Sequence, residues 1–147
     1  MPASADSTTS SNYSDFKPYE LKKGEEYMSD AQIAHFRNIL INWKRSLMEE
    51  VDRTVHHMQD EAANFPDPTD RATQESEFSL ELRTRDRERK LIRKIDSSLR
   101  RLEDDNFGFC DSCGAEIGIR RLEARPTAEL CVDCKSLEEI RERQLGR

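Results

Sequence analysis

The sequence predicts a mainly α protein: a long antiparallel coiled-coil hairpin on a small globular module organised by four cysteines, followed by a C-terminal helix. Three observations carry this reading. Apolar residues recur at helical spacing in two stretches, residues 33–58 and 78–102. Between them lies NFPDPTDRA (64–72), where two prolines and two aspartates interrupt what would otherwise run on as one helix. Four cysteines follow as Cys110-Asp-Ser-Cys113 and Cys131-Val-Asp-Cys134, two C-x2-C pairs 17 residues apart.

Composition agrees with a thin fold. Of 147 residues, 35% are hydrophobic and 37% charged, which suits solvated helices around narrow apolar seams better than a thick core. The net charge of −6 repels phosphate backbones, so non-specific binding to nucleic acid is disfavoured. The start, MPASADSTTSSNYSDF, has neither the basic first residues nor the apolar block of a secretory signal, and residues 1–17 are expected to form a disordered tail. The longest strictly aliphatic run is Ile39-Leu40-Ile41, too short to span a membrane. These features predict a cytoplasmic chain, in which cysteines stay reduced and available as ligands.

Residues 18–32 are assigned to the globular module. Ser29-Asp-Ala-Gln32 has the form of a capping box, in which the serine takes the backbone N–H three residues on and the glutamine reaches back. Ile33, Phe36, Leu40, Trp43, Leu47, Val51, Val55 and Met58 then share one helical face, and Phe78, Leu82, Ile92, Ile95, Leu99 and Leu102 form a second stripe. Each helix should cover about 35 residues, or about 50 Å. Pairing Ile33 with Leu99, Leu40 with Ile92, and Val55 with Phe78 gives a nearly common midpoint at Pro66, so residues 33–103 should fold back within 64–72. This register brings Glu49, Glu50 and Asp52 near Arg83 and Arg85 as a charge ladder. RTRDRERK (83–90) carries seven charged residues in eight and interrupts the seam opposite Trp43 and Leu47, where arginine stems can cover apolar surface.

At the turn, Asp67 reads as a helix N-cap, Pro68 as the first helical residue, and Asp70 as a carboxylate near the positive helix end. The two C-x2-C pairs suit tetrahedral Zn²⁺ held by four thiolates, a closed and therefore structural site for one ion within residues 104–134. A helix is expected from near Cys131 through Leu137, Ile140 and Leu145, with residues 135–147 as the C-terminal helix. His35, His56 and His57 show no paired metal spacing and read as surface or seam residues.

Cys110, Cys113, Ile117, Arg121, Pro126, Cys131 and Cys134 stand at the spacing of the DksA/TraR-type four-cysteine zinc finger. EVDRTVHHMQDEAANFPDPTDRA and FSLELRTRDRERKLI resemble the same family, so the likeness covers Pro18 to about Gln144. The resemblance implies a non-enzymatic regulator that binds RNA polymerase core directly, at the secondary channel and the rim of the largest subunits. It implies a coiled-coil tip inserted towards the catalytic centre, destabilised promoter open complexes, and joint action with guanosine tetraphosphate (ppGpp). Ribosomal RNA promoters would be repressed and amino-acid biosynthesis promoters activated, by a monomer that neither reads DNA sequence nor touches membrane. The family's functional tip carries over to Asp67 and Asp70, with Ala72 beside them. Its shared ppGpp site carries over to Leu91, Lys94, Arg125 and Lys135. Gre-type cleavage factors resemble this architecture, but no cleavage activity is expected here.

Two other classes compete. Arg83–Arg101 holds nine basic and three acidic residues and could serve a nucleic-acid-binding finger, which a steep loss of DNA affinity with salt would reveal. A thiol redox protein would use the C-x2-C pairs, but it needs a thioredoxin-like context that this sequence lacks.

Overall fold

The computed structural model describes residues 16–62 and 67–146. The expected tail, apart from residues 16 and 17, and the turn residues Asn64, Phe65 and Pro66 lie outside the described residues. Four helices account for nearly all regular structure: α1 (Asp30–Ala62), α2 (Pro68–Glu103), α3 (Ile119–Ala124) and α4 (Val132–Leu145). An isolated bridge joins Phe109 and Glu116. No described helix is long and apolar enough to cross a membrane.

The chain forms two compact units, divided inside α1 between Ile41 and Asn42 and inside α2 between Lys94 and Ile95. In the coil unit, α1 and α2 run antiparallel. The Gln74 amide meets the Glu61 carbonyl at 2.7 Å, His57 meets Glu81 at 2.8 Å, and Glu50 faces Glu88. Trp43 and Leu47 are its buried apolar residues. Beyond them the half-buried residues of α1 include Val51, Val55 and Met58, whereas those of α2 are largely polar, for a reason visible in the repeat. From Phe78 to Ile92 the half-buried positions include 78, 81, 85, 88 and 92, the spacing of a coiled-coil seam, and three of these are Glu81, Arg85 and Glu88.

This corrects two expectations. Leu82 is 39% exposed and is not in the seam. The observed pairs lie up to about two turns further along α2 than the expected register, so Glu50 meets Glu88. No ion pair joins Glu49, Glu50 or Asp52 to Arg83 or Arg85 among the described residues. Arg87 lines a cavity together with Trp43 and Leu47.

The base unit packs the start of α1 and the end of α2 against the cysteine-bearing segment. Phe36, Leu40, Ile95, Leu102, Phe107 and Leu122 are at most 3% exposed. The first half of the capping box forms as the sequence suggests, with Ser29 Oγ accepting the Gln32 N–H at 3.3 Å; Gln32 Oε1 reaches one residue further back and accepts the Met28 N–H at 2.7 Å. Tyr27 Oη donates to the Gly108 carbonyl at 2.8 Å and accepts the Gly118 N–H at 3.1 Å. Gly108 has φ 92°, and a Cβ there would stand 2.9 Å from that hydroxyl oxygen. Only glycine fits this approach.

Glu123, almost fully buried, accepts bonds from the Tyr19 N–H at 2.7 Å, from Arg120 at 2.7 Å and from His35 Nε2 at 2.8 Å. His35 is thus a partner in the base's polar network as well as a neighbour of the Phe16, Tyr19 and Phe36 rings. His56 and His57 are exposed. α4 begins where expected, but it has no buried residue; Leu137, Ile140 and Leu145 are 53%, 44% and 86% exposed.

Candidate functional site

The four cysteines of the base converge. Their sulfurs all lie within 4.8 Å of one another, and Cys113 Sγ is 3.8 Å from Cys131 Sγ. Four sulfurs about 2.3 Å from a central ion in a tetrahedron would be about 3.8 Å apart. The cluster therefore fits a four-coordinate metal ion.

Local backbone chemistry shapes each half. Cys110 opens a tight turn whose Ser112 and Cys113 N–H groups point at its sulfur, at 3.4 and 3.5 Å. Gly114 completes that turn at φ 79° and donates to the Cys110 carbonyl. Cys131 is the N-cap of α4, and its sulfur accepts the Cys134 N–H. A helix start favours thiolate over thiol. The backbone N–H of Cys131 holds the Cys110 thiol down at about 6. Cys134 is pushed the other way, to about 12, first by the Cys131 sulfur and then by that of Cys110. Four sulfurs this close cannot all carry charge without a cation, and a divalent ion resolves the conflict.

Two side chains fasten this centre to its surroundings. Arg101 Nη2, at the end of α2, reaches the Asn106 and Phe109 carbonyls at 3.3 and 2.9 Å and the Asp111 carboxylate at 3.0 Å. Arg121, from α3, holds the Leu130 carbonyl beside Cys131 at 3.0 Å. Pro126 is fully buried after that helix. Sequence reading missed α3, because six residues are too short for periodicity to show; the Ile119–Leu122 spacing is its one signal.

In the coil unit, the start of α2 is built as its sequence implies. Asp67 Oδ1 accepts the Asp70 N–H at 2.8 Å, and the Asp67 carbonyl accepts the Arg71 N–H at 2.8 Å. Pro68 is the first helical residue and Asp70 lies in the first turn. Asp67, Asp70 and Ala72 are all exposed, which leaves the carboxylates available to a partner.

Leu91 and Lys94 line one cavity of about 550 Å³ in the coil unit, with Trp43, Leu47, Glu50 and Glu88 among its walls. Arg125 and Lys135 belong to the base unit. Arg125 is the exposed C-cap of α3, and Lys135 pairs with Glu138 at 3.3 Å.

Comparison with known proteins gives a consistent result along the chain. Residues 32–102 match the DnaK suppressor protein DksA N-terminal domain, and residues 105–139 match the prokaryotic dksA/traR C4-type zinc finger. The chain is 70% identical over 130 residues to the RNA polymerase-binding transcription factor DksA of Escherichia coli K12, covering 88% of this chain and 86% of that protein. It is 67% identical to the protein of the same description from Haemophilus influenzae, over 88% of this chain and 90% of that one. Among solved structures, transcription factor DksA2 from Pseudomonas aeruginosa superposes with a TM-score of 0.76 at 37% identity, covering 80% of this chain and 90% of that one. The capped acidic helix start, the antiparallel coil and the four-cysteine centre thus stand in a chain that belongs to the DksA family.

Proposed function

We propose that this protein regulates transcription in the cytoplasm by binding RNA polymerase directly, and that its coil carries the Asp67–Ala72 helix start into the secondary channel towards the catalytic centre. The observation that carries this reading is the 70% identity, over 88% of the chain, to a relative described as an RNA polymerase-binding transcription factor. The local chemistry is suitable. Asp67 is fixed by its capping bond, and two exposed carboxylates stand at the start of one helix. They offer charge to basic groups or metal ions of a partner, while the protein itself supplies no catalytic group.

The consequence at promoters is a shorter-lived open complex, with repression of ribosomal RNA promoters and activation of certain amino-acid biosynthesis promoters. One zinc ion, held by Cys110, Cys113, Cys131 and Cys134, is structural: it fixes the base and takes no part in chemistry. ppGpp is bound jointly with polymerase through Leu91, Lys94, Arg125 and Lys135, whose three cations suit phosphate groups. The protein acts as a monomer.

The test measures polymerase binding and open-complex lifetime on a ribosomal RNA promoter, with and without ppGpp. Wild type should bind polymerase and shorten the lifetime, more strongly with the nucleotide. Lys94→Ala with Arg125→Ala should remove the nucleotide's increment and leave the basal effect. A protein that binds polymerase but never alters the lifetime would contradict the proposal.

A further inference from the structure

The last turn of α1 lies beside the first turns of α2, and a side-chain bond joins them. Gln74 Nε2 donates to the Glu61 carbonyl at 2.7 Å. Glu61 is the next-to-last residue of α1, so its carbonyl belongs to the group that a helix leaves without an internal partner. α1 has no basic residue in its last turn, and no glycine stands between Ala62 and Asp67, the residue most used for a left-handed cap. A donor comes from the other helix.

Its place on α2 matters. Asp67, Asp70, Gln74 and Phe78 are spaced by three, four and four residues, one continuous face of the helix. Phe78 and Gln74 are half-buried on this face, whereas Asp70 and Asp67 are exposed at its end. Asp70 stands one turn, about 6 Å of rise, beyond Gln74. Rotation of α2 about its own axis would turn both carboxylates. The Gln74 bond opposes that rotation nearest to them, where none of the described residues is a buried apolar one.

We propose that Gln74 is a positioning residue for the tip. By capping the Glu61 carbonyl of α1, it sets the direction in which Asp67 and Asp70 face the polymerase centre. This deepens the tip reading above and rests on it.

The experiment uses full-length protein with zinc bound. Gln74→Leu removes the donor at similar volume, and Gln74→Lys offers an ammonium donor to the same carbonyl. Asp70→Asn reports on the tip itself. Polymerase affinity, open-complex lifetime at saturating protein, and amide exchange of residues 59–62 are measured together. The expected result is affinity within about twofold of wild type for Gln74→Leu, about five- to tenfold faster exchange in the α1 last turn, and about three- to tenfold less shortening of the lifetime. Gln74→Lys should restore both. Unchanged exchange and lifetime in Gln74→Leu would overturn the proposal. Faster exchange with a full lifetime effect, while Asp70→Asn loses it, would leave Gln74 a cap only and also overturn the positioning role. An Asp70→Asn protein as active as wild type would remove the tip reading and the positioning role with it.

Discussion

In the base, the buried carboxylate of Glu123 meets three donors: a backbone N–H, a guanidinium and an imidazole. In the coil, Glu50 and Glu88 face each other across the helices, and each leaves its buried Oε1 without a donor. The titrations follow. The bonds from Tyr19, Arg120 and His35 outweigh burial and hold Glu123 below the ordinary carboxylate range, while burial, then the Glu50 carboxyl, raise Glu88 to about 7. The base also places Glu25 between Ser29 and Tyr19, whose hydroxyls lower it to about 2. The buried carboxylate is thus matched by donors in the base, whereas the facing pair Glu50 and Glu88 is left in tension in the coil.

The strongest way to break this contrast is to remove the metal. Structural four-ligand sites contribute about 10–16 kcal/mol of binding free energy to folding. Chelation, or Cys113→Ser, should therefore abolish the cooperative unfolding of the base, followed by heteronuclear NMR of residues 104–145. The cross-helix signals of His57 and Glu81 should persist. Loss of both sets together would show that the contrast is not real.

Next in size, Glu123→Ala leaves the Tyr19 N–H and His35 without their acceptor. Urea unfolding should show a loss of about 2–3 kcal/mol. Asp67→Ala removes the N-cap of α2 and should cost about 1 kcal/mol, with the change confined to the coil transition.

The smallest effect sharpens the comparison by its sign. Glu88 is raised in the folded coil, so its contribution is fully present below the ordinary carboxylate pKa of 4.5 and is lost as pH rises through about 7. Glu123 and Glu25 are depressed, so theirs are present above that ordinary value and are lost as pH falls through the folded values. Between about pH 7 and 5 the coil should gain a few degrees in thermal midpoint. Below about pH 4 the base should weaken. Glu88→Gln should remove the coil's gain, and thermal melts across pH with probes in each unit measure it.

Much of this molecule was legible in its sequence because local chemistry and tertiary role agree. Ser29 and Gln32 cap α1, Asp67 and Pro68 start α2, and the cysteine spacing closes a cluster. The register was not legible, because three seam positions of α2 are Glu81, Arg85 and Glu88. Hydrophobicity pointed to Leu82 instead, which the structure exposes. Nor did periodicity reveal that the apolar residues of α4 would stay uncovered, since spacing places side chains on a face without saying what packs there. The roles of Arg101 and Arg121 depend on carbonyls brought near by turns, which no linear motif displays.

The most direct measurement is the lifetime of open complexes on a ribosomal RNA promoter, with wild type and Asp70→Asn compared at equal polymerase occupancy. If the tip acts and the base mounts it, wild type shortens the lifetime and Asp70→Asn binds without shortening it. Equal shortening by both proteins would contradict that division of labour and assign the effect to the rest of the interface.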